Sequence, residues 1–399
     1  MEDSATVNEW EPRGVRSGAE CGVRTGFSTK TDANEAIDEI WEQTYQPDIK
    51  LAVFFCSSFY DLDKLGSRVW ERFGDINIVG CTTAGEIGPG GYLSRSVSAF
   101  SLGGPGFTVA TGCMDELSRF TLPAGRRLAY GLLNRLIAQK VDISAGKTFA
   151  FLLIDGLAMR EEVVTSAIHV ALSDMPFFGG SAADDLVLEK TLLYHRGAFR
   201  SDRAILSLVS TTRKFEVFKT QHFVESGDRF VITAADSAKR IVTEINGEPA
   251  AQEYADMVGV PVSELCGSLF ASHPLILTVR GSAHARPVRS ANDDLSMSFS
   301  AAVEQGSILT IGRPLDIVDD LRRLLDDIRA RIGRPALLIG CDCCYRRMEL
   351  EQTGRKEFVG DMFRECNAVG FATYGEQFGA LHNGHTLSGV AIGEDEHGE

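Results

Sequence analysis

Along this chain, apolar runs of strand length recur, each followed by a helical pattern and by a second short apolar run that ends at a glycine-rich loop. Leu51-Ala52-Val53-Phe54-Phe55-Cys56 is the first. No polar residue interrupts it, which suits a strand covered on both faces. Leu62, Leu65, Val69 and Phe73 then fall at helical spacing, residues 76–79 lead into the loop, and 96–102 alternate as a strand. The order returns with Phe149-Ala150-Phe151-Leu152-Leu153-Ile154, a helix over 161–172, Phe177-Phe178, and strands over 192–194 and 204–209. It returns again with a strand over 335–340, a helix over 348–363, Ala368-Val369 and a strand over 385–393. The spans Leu51 to Gly80, Ala150 to Gly179 and Leu337 to Gly370 are similar in length. The pattern predicts three diverged strand-helix-strand-loop-strand units with insertions between them. The fold class is α/β, with α+β as the alternative, in two domains whose sheets are covered by helices.

Between the second and third units the texture changes. Strands are predicted over 230–233, 241–245, 276–279, 295–300 and 307–311, with a turn at Asn246-Gly247. Residues 250–257 and 315–332 read as helices, the second with Ile317, Leu321, Leu324, Leu325, Ile328 and Ile332 on one face. Residues 1–40 are expected to be partly disordered, although Asp32 is placed to cap a helix through Ile37, Ile40 and Trp41. The domains are read as 41–235 and 236–399.

The loops carry the chemistry worth weighing. Gly370-Phe371-Ala372-Thr373-Tyr374-Gly375-Glu376-Gln377 superposes on Gly80-Cys81-Thr82-Thr83-Ala84-Gly85-Glu86, so that Thr373 meets Thr83 and Glu376 meets Glu86. A weaker copy, Gly179-Gly180-Ser181-Ala182-Ala183-Asp184-Asp185, puts Asp185 at the Glu position. The loops lack the Gly-Lys-Ser/Thr of a phosphate loop, and a carboxylate repels anions. They suit a cation, an ammonium group or a backbone amide, which makes Thr83, Glu86, Asp185, Thr373, Tyr374, Glu376 and Gln377 a candidate ligand pocket. The plainer reading is that the glycines supply turns and the Glu residues cap nearby amides.

Composition narrows the field. The 399 residues are 44% hydrophobic with a formal charge of -15, which disfavours nucleic acid or an anionic membrane as a partner. The polar, acidic opening has no signal-peptide pattern and no apolar stretch is long enough to span a bilayer, so a cytoplasmic location is expected. Nine cysteines are then expected to be reduced. Cys341, Cys343 and Cys344 lie where a strand meets a helix, an arrangement open to a redox or soft-metal role. His195 and His382 are candidates to ligate a haem iron. No nucleophile elbow or spaced acid/base pair marks an enzyme, and the chain is read as non-catalytic.

Residues 78–87 resemble the signature of the FIST N domain, and 367–379 with 386–393 resemble the FIST C domain. The resemblance implies a sensory input protein of bacterial signal transduction. The stretches 193–197 and 374–378 are similar to the NosP-type branch, which implies b-type haem, nitric-oxide sensing and a partner histidine kinase, as in two-component regulation, or a cyclic-di-GMP enzyme (diguanylate cyclase or phosphodiesterase). On that reading His382 or His195 is the axial ligand, and the chain has room to act as a homodimer. Two alternatives stay open: a haem-free sensor of an amino-acid-like ligand, and a thiol or metal switch at Cys341, Cys343 and Cys344.

Overall fold

The computed structural model describes residues 22–395 apart from Ala145 and Arg280. The fold is mixed α/β. Three buried parallel strand pairs lie where the apolar runs predict them: Ile49–Ser57 beside Ile78–Thr83, Thr148–Ile154 beside Phe177–Ser181, and Pro335–Cys343 beside Ala368–Thr373. Their registers agree, since Phe54 faces Gly80, Leu152 faces Gly179 and Gly340 faces Gly370. Glycine is needed at the third of these, because a Cβ on Gly370 would stand 1.9 Å from the Gly340 carbonyl oxygen.

Each pair is extended by an antiparallel closing strand (Val97–Gly103, Arg203–Thr211, Leu387–Gly393) and then by an edge strand (Val23–Ser28, Phe107–Asp115, Phe215–Thr220). The three edge strands are additions to the predicted unit. So is the helix Leu122–Ala138, the counterpart in the second unit of Ala33–Thr44 and Ile317–Ile332. Asp32 and Asp316 cap those two helices through their side chains. The expected helix over 348–363 is two helices, Cys344–Gln352 and Lys356–Glu365, separated where Gly354 turns to a φ of +66°. Of the segment 1–40, residues 1–21 lie outside the described residues, while 22–40 carry a strand and most of a helix.

The fifth and sixth places in each sheet are filled by a hairpin from another unit. The hairpin at 86–93 leaves the first unit and pairs with Ala368–Thr373 of the third. The third unit's hairpin, 376–383, pairs with Phe177–Ser181 of the second, and the second unit's, 193–200, pairs with Ile78–Thr83 of the first. The exchange is cyclic. The inner faces of all three sheets meet in one core of Val53, Phe55, Phe151, Leu153, Ile339 and Phe371 with their neighbours, while helices cover the outer faces.

The different texture between the second and third units is an inserted β-domain. Strands Phe223–Asp236 to Ile308–Pro314 form an eight-stranded sheet with its own core. It lies inside the third unit, between that unit's edge strand and its long helix. Asn246 and Gly247 both take positive φ, as the predicted turn requires. Among the described residues no helix is long and apolar enough to cross a membrane.

Candidate functional site

The two Thr-x-Gly-Glu loops fold alike. Thr83 donates its hydroxyl to Glu86 Oε1 at 2.5 Å, and Ser96 donates to Glu86 Oε2 through its hydroxyl at 2.5 Å and its amide at 3.3 Å. In the third unit Thr373 donates to Glu376, and Thr386 donates to the other carboxyl oxygen through its hydroxyl at 2.6 Å and its amide at 3.3 Å. Both carboxyls are fully buried. Burial pushes the Glu86 pKa up to about 7 against the hydrogen bonds that favour its anion, and pushes Glu376 well above the usual carboxylate range. Neither lines either of the two cavities described below. Each closes its own turn, so an ammonium group finds no carboxylate here.

Asp185 does not occupy the third Glu position. Strand register gives that place to Leu193, which pairs with Cys81 as Glu86 pairs with Phe371 and Glu376 with Gly180. Residues 183–192 are an added loop, in which Asp185 accepts from the Ser57 hydroxyl and from the Ser58 amide and hydroxyl at 2.7–2.8 Å. Gln377 donates to the Ser181 hydroxyl at 2.9 Å and lies 3.1 Å from His382 Nδ1.

A cavity of ≈ 200 Å³ opens where the second unit, the third unit and the inserted domain meet. Leu157, Met159, Leu186 and Leu188 form the wall from the second unit. Cys343, Cys344, Tyr345, Met348 and Tyr374 come from the third, and Pro287, Arg289 and Ser300 from the inserted domain. Tyr345 donates to the Val288 carbonyl at 2.7 Å and Tyr374 donates to Asp184, which fixes both rings. Arg240, also on the wall, is held by Glu161 and Glu162 at 2.6 Å. Arg289 is exposed at the mouth with no ion pair to any described residue. Of the residues singled out in the sequence, this cavity gathers Tyr374, Cys343 and Cys344. It leaves out Thr83, Glu86, Asp185, Thr373, Glu376, Gln377, Cys341, His195 and His382. The run Leu186-Val187-Leu188, exposed and apolar after two aspartates, was the sequence signal for this wall.

The cysteines do sit at a strand-to-helix junction, with Cys343 just before the helix Cys344–Gln352. Burial outweighs the helix terminus, however, and pushes the Cys341 and Cys343 thiols up rather than toward the thiolate. The eight described cysteines are free, and among the described residues no three His, Cys, Asp or Glu side chains are grouped to hold a metal ion.

His382 is buried with both ring nitrogens engaged, Nδ1 by Gln377 and Nε2 at 3.3 Å from the Ser300 carbonyl, so it does not fit the role of haem ligand. His195 differs. It lines a second cleft of ≈ 450 Å³ with Trp70, Ile76, Val109, Arg135 and Arg196, and its ring makes no hydrogen bond to a described residue. Burial, then Arg203 and Arg196, lower its pKa, which favours the neutral imidazole that ligates metals.

Residues 50–248 match the FIST N domain and residues 250–379 match the FIST C domain. The chain carries the paired FIST domains. These are sensory modules of signal transduction rather than catalytic ones. An uncharacterized protein of Methanocaldococcus jannaschii is 21% identical over 379 residues, covering 85% of this chain and 72% of that relative. In this FIST protein the cyclic hairpin exchange runs across the border between the two domains, and the cavity has walls from both.

Proposed function

We propose that this FIST protein is a signalling input that binds a small, largely apolar organic acid in the cavity between its two domains. The observation that carries the reading is the wall itself: one ligand there would touch Leu157, Met159 and Leu188 of the FIST N domain and Arg289, Tyr345 and Met348 of the FIST C domain together. Apolar walls with a few polar groups are the usual make-up of a ligand site. Arg289 supplies the cation for a carboxylate, and no unpaired carboxylate faces an ammonium. A ligand bridging both domains shifts the seating of the inserted β-domain only through its different affinity for the two seatings. The chain's partner would then read that surface; a histidine kinase or a cyclic-di-GMP enzyme fits this role.

Thermal unfolding in the presence of aromatic and branched aliphatic carboxylic acids tests the reading. A true ligand at a hundred times its Kd adds about 2.7 kcal/mol. Leu188→Trp, which fills the cavity from a loop, should abolish that gain. Stabilisation that survives Leu188→Trp and Arg289→Ala together would remove the cavity from consideration.

A haem-based reading rests on one separate observation, the unpartnered His195 in the second cleft. His195 would hold the iron, and Arg135 and Arg196 would face the acidic propionates. Haem bound there would supply an iron that takes up nitric oxide. A Soret band lost in His195→Ala and kept in His382→Ala is the expected result; no retained haem in the parent protein rejects this version while leaving the cavity reading intact.

A further inference from the structure

The chain has 55 acidic and 40 basic side chains, yet among the described residues the buried Arg286 and the half-buried Lys219 have no acidic partner. Arg286 is 8% exposed, its guanidinium donates only to the neighbouring Ala285 carbonyl, and its Nε meets no acceptor. The Lys219 side chain, half-buried, makes no hydrogen bond or ion pair with any described residue. The two are connected by a short series of contacts. Lys219 faces Ser388 in the strand register, and the Ser388 hydroxyl reaches the Gly179 carbonyl at 3.4 Å. Gly179 faces Gln377, whose Oε1 is buried without a donor. In the same hairpin Asn383 meets His284 Nδ1 at 3.0 Å, and Arg286 follows His284 by two residues, on the same side of its strand. Burial lowers the Lys219 and His284 pKa values, and Arg286 lowers both further, so the three groups feel one another's field. The nearby carboxyls are committed elsewhere: Glu376 to Thr373 and Thr386, Glu162 to Arg240 and the Ala302 amide.

We propose that Lys219, Arg286 and His284 form a binding site for a small oxyanion, either free phosphate or the phosphate end of a small metabolite. A buried cation left unpaired is among the most destabilising arrangements a fold can hold, and two together repel. An oxyanion relieves both, and the planar guanidinium fork is shaped for it. Lys219 comes from an edge strand of the three-sheet core, whereas His284 and Arg286 come from the inserted β-domain. The bound anion therefore pins that domain to the core. This site shares no residue with the cavity lining and stands whether or not the cavity binds an organic acid.

The test is calorimetric titration and thermal unfolding of the full chain with inorganic phosphate and with glycerol phosphate, chloride holding ionic strength constant. Saturable binding is expected, at least tenfold weaker in Lys219→Met and in Arg286→Gln, and unchanged in Leu188→Trp. Tighter phosphate identifies the free anion as occupant, and tighter glycerol phosphate a metabolite. In oxyanion-free buffer Lys219→Met should melt above the parent, because it removes a repelling charge. Absence of saturable binding of both probes to the parent, or equal affinity in the parent and Lys219→Met, overturns the proposal. Lys219 lies near the end of an edge strand, so its variant remains informative if Arg286→Gln does not fold.

Discussion

In the first and third hairpins a buried carboxyl closes the turn, whereas in the second the equivalent residue is Leu193, packed in the central core. Backbone pairing is the same in all three. A ring of hydroxyls around a carboxyl and an aliphatic side chain are thus two ways to fill one position. The two carboxyl copies also differ from each other. Beside Gly85 stands the Arg347 guanidinium, and beside Gly375 stands the His382 ring. Burial raises both carboxyls; beyond it, Asp185 opposes and Arg347 eases charge on Glu86, while Asp342 opposes charge on Glu376. A motif rich in functional groups and repeated in the chain need not be a binding site.

Converting one kind of hairpin into the other is the harshest test. Glu376→Leu leaves the buried Thr373 and Thr386 hydroxyls without an acceptor for their protons, and chemical denaturation should show a loss of about 3 kcal/mol. Glu86→Leu should lose a similar amount, since Thr83 and Ser96 are orphaned in the same way. A ligand-binding role would instead cost affinity and leave stability nearly unchanged.

The next effect in size is on pH. Both carboxyls hold their protons in the folded chain to higher pH than the ordinary value of about 4.3 in the unfolded chain. Between those values the folded state binds more protons, so stability is greatest on the acid side and falls as pH rises, by at most about 1.4 kcal/mol per unit for each group. For Glu86 the fall should end near pH 7, and Glu376 should add a fall of the same sign. Melting profiles of Glu86→Gln should be flatter between about pH 4.5 and 7 and unchanged above. An identical slope in the variant would show that Glu86 is ionised in the fold. The smallest effect belongs to Asp185→Asn, which weakens three hydrogen bonds in a part-exposed loop and should cost about 1 kcal/mol or less by the same melting assay.

Much of the layout was legible because burial on both faces writes itself as unbroken apolar runs such as Phe149 to Ile154. The superposition of Glu86 on Glu376 was legible for a similar reason, as both turns share Thr, Gly and Glu at the same spacing. What escaped is non-local. Leu193 carries no likeness to a glutamate, so by sequence the copy in the second unit falls on Asp185, which lies in the added loop. The edge strand Phe107–Asp115 pairs with a single strand in its sheet and shows little apolar regularity. The cavity draws Leu157, Leu188, Arg289 and Met348 from four separate segments, and nothing in the chain's order relates them.

The cyclic exchange of hairpins also sets a timetable. The sheet begun by Thr148–Ile154 waits for residues 376–383, and Tyr92 reaches Asp342 across 250 residues of chain. Such distant closures make folding slow and leave strand edges open to wrong partners in the meantime. While the chain emerges from the ribosome, the FIST N portion cannot complete its own second sheet until almost the whole FIST C portion has been made. Until then that sheet lacks its last two strands, and its open edge is the consequence of an architecture that, once closed, none of its three units can leave alone.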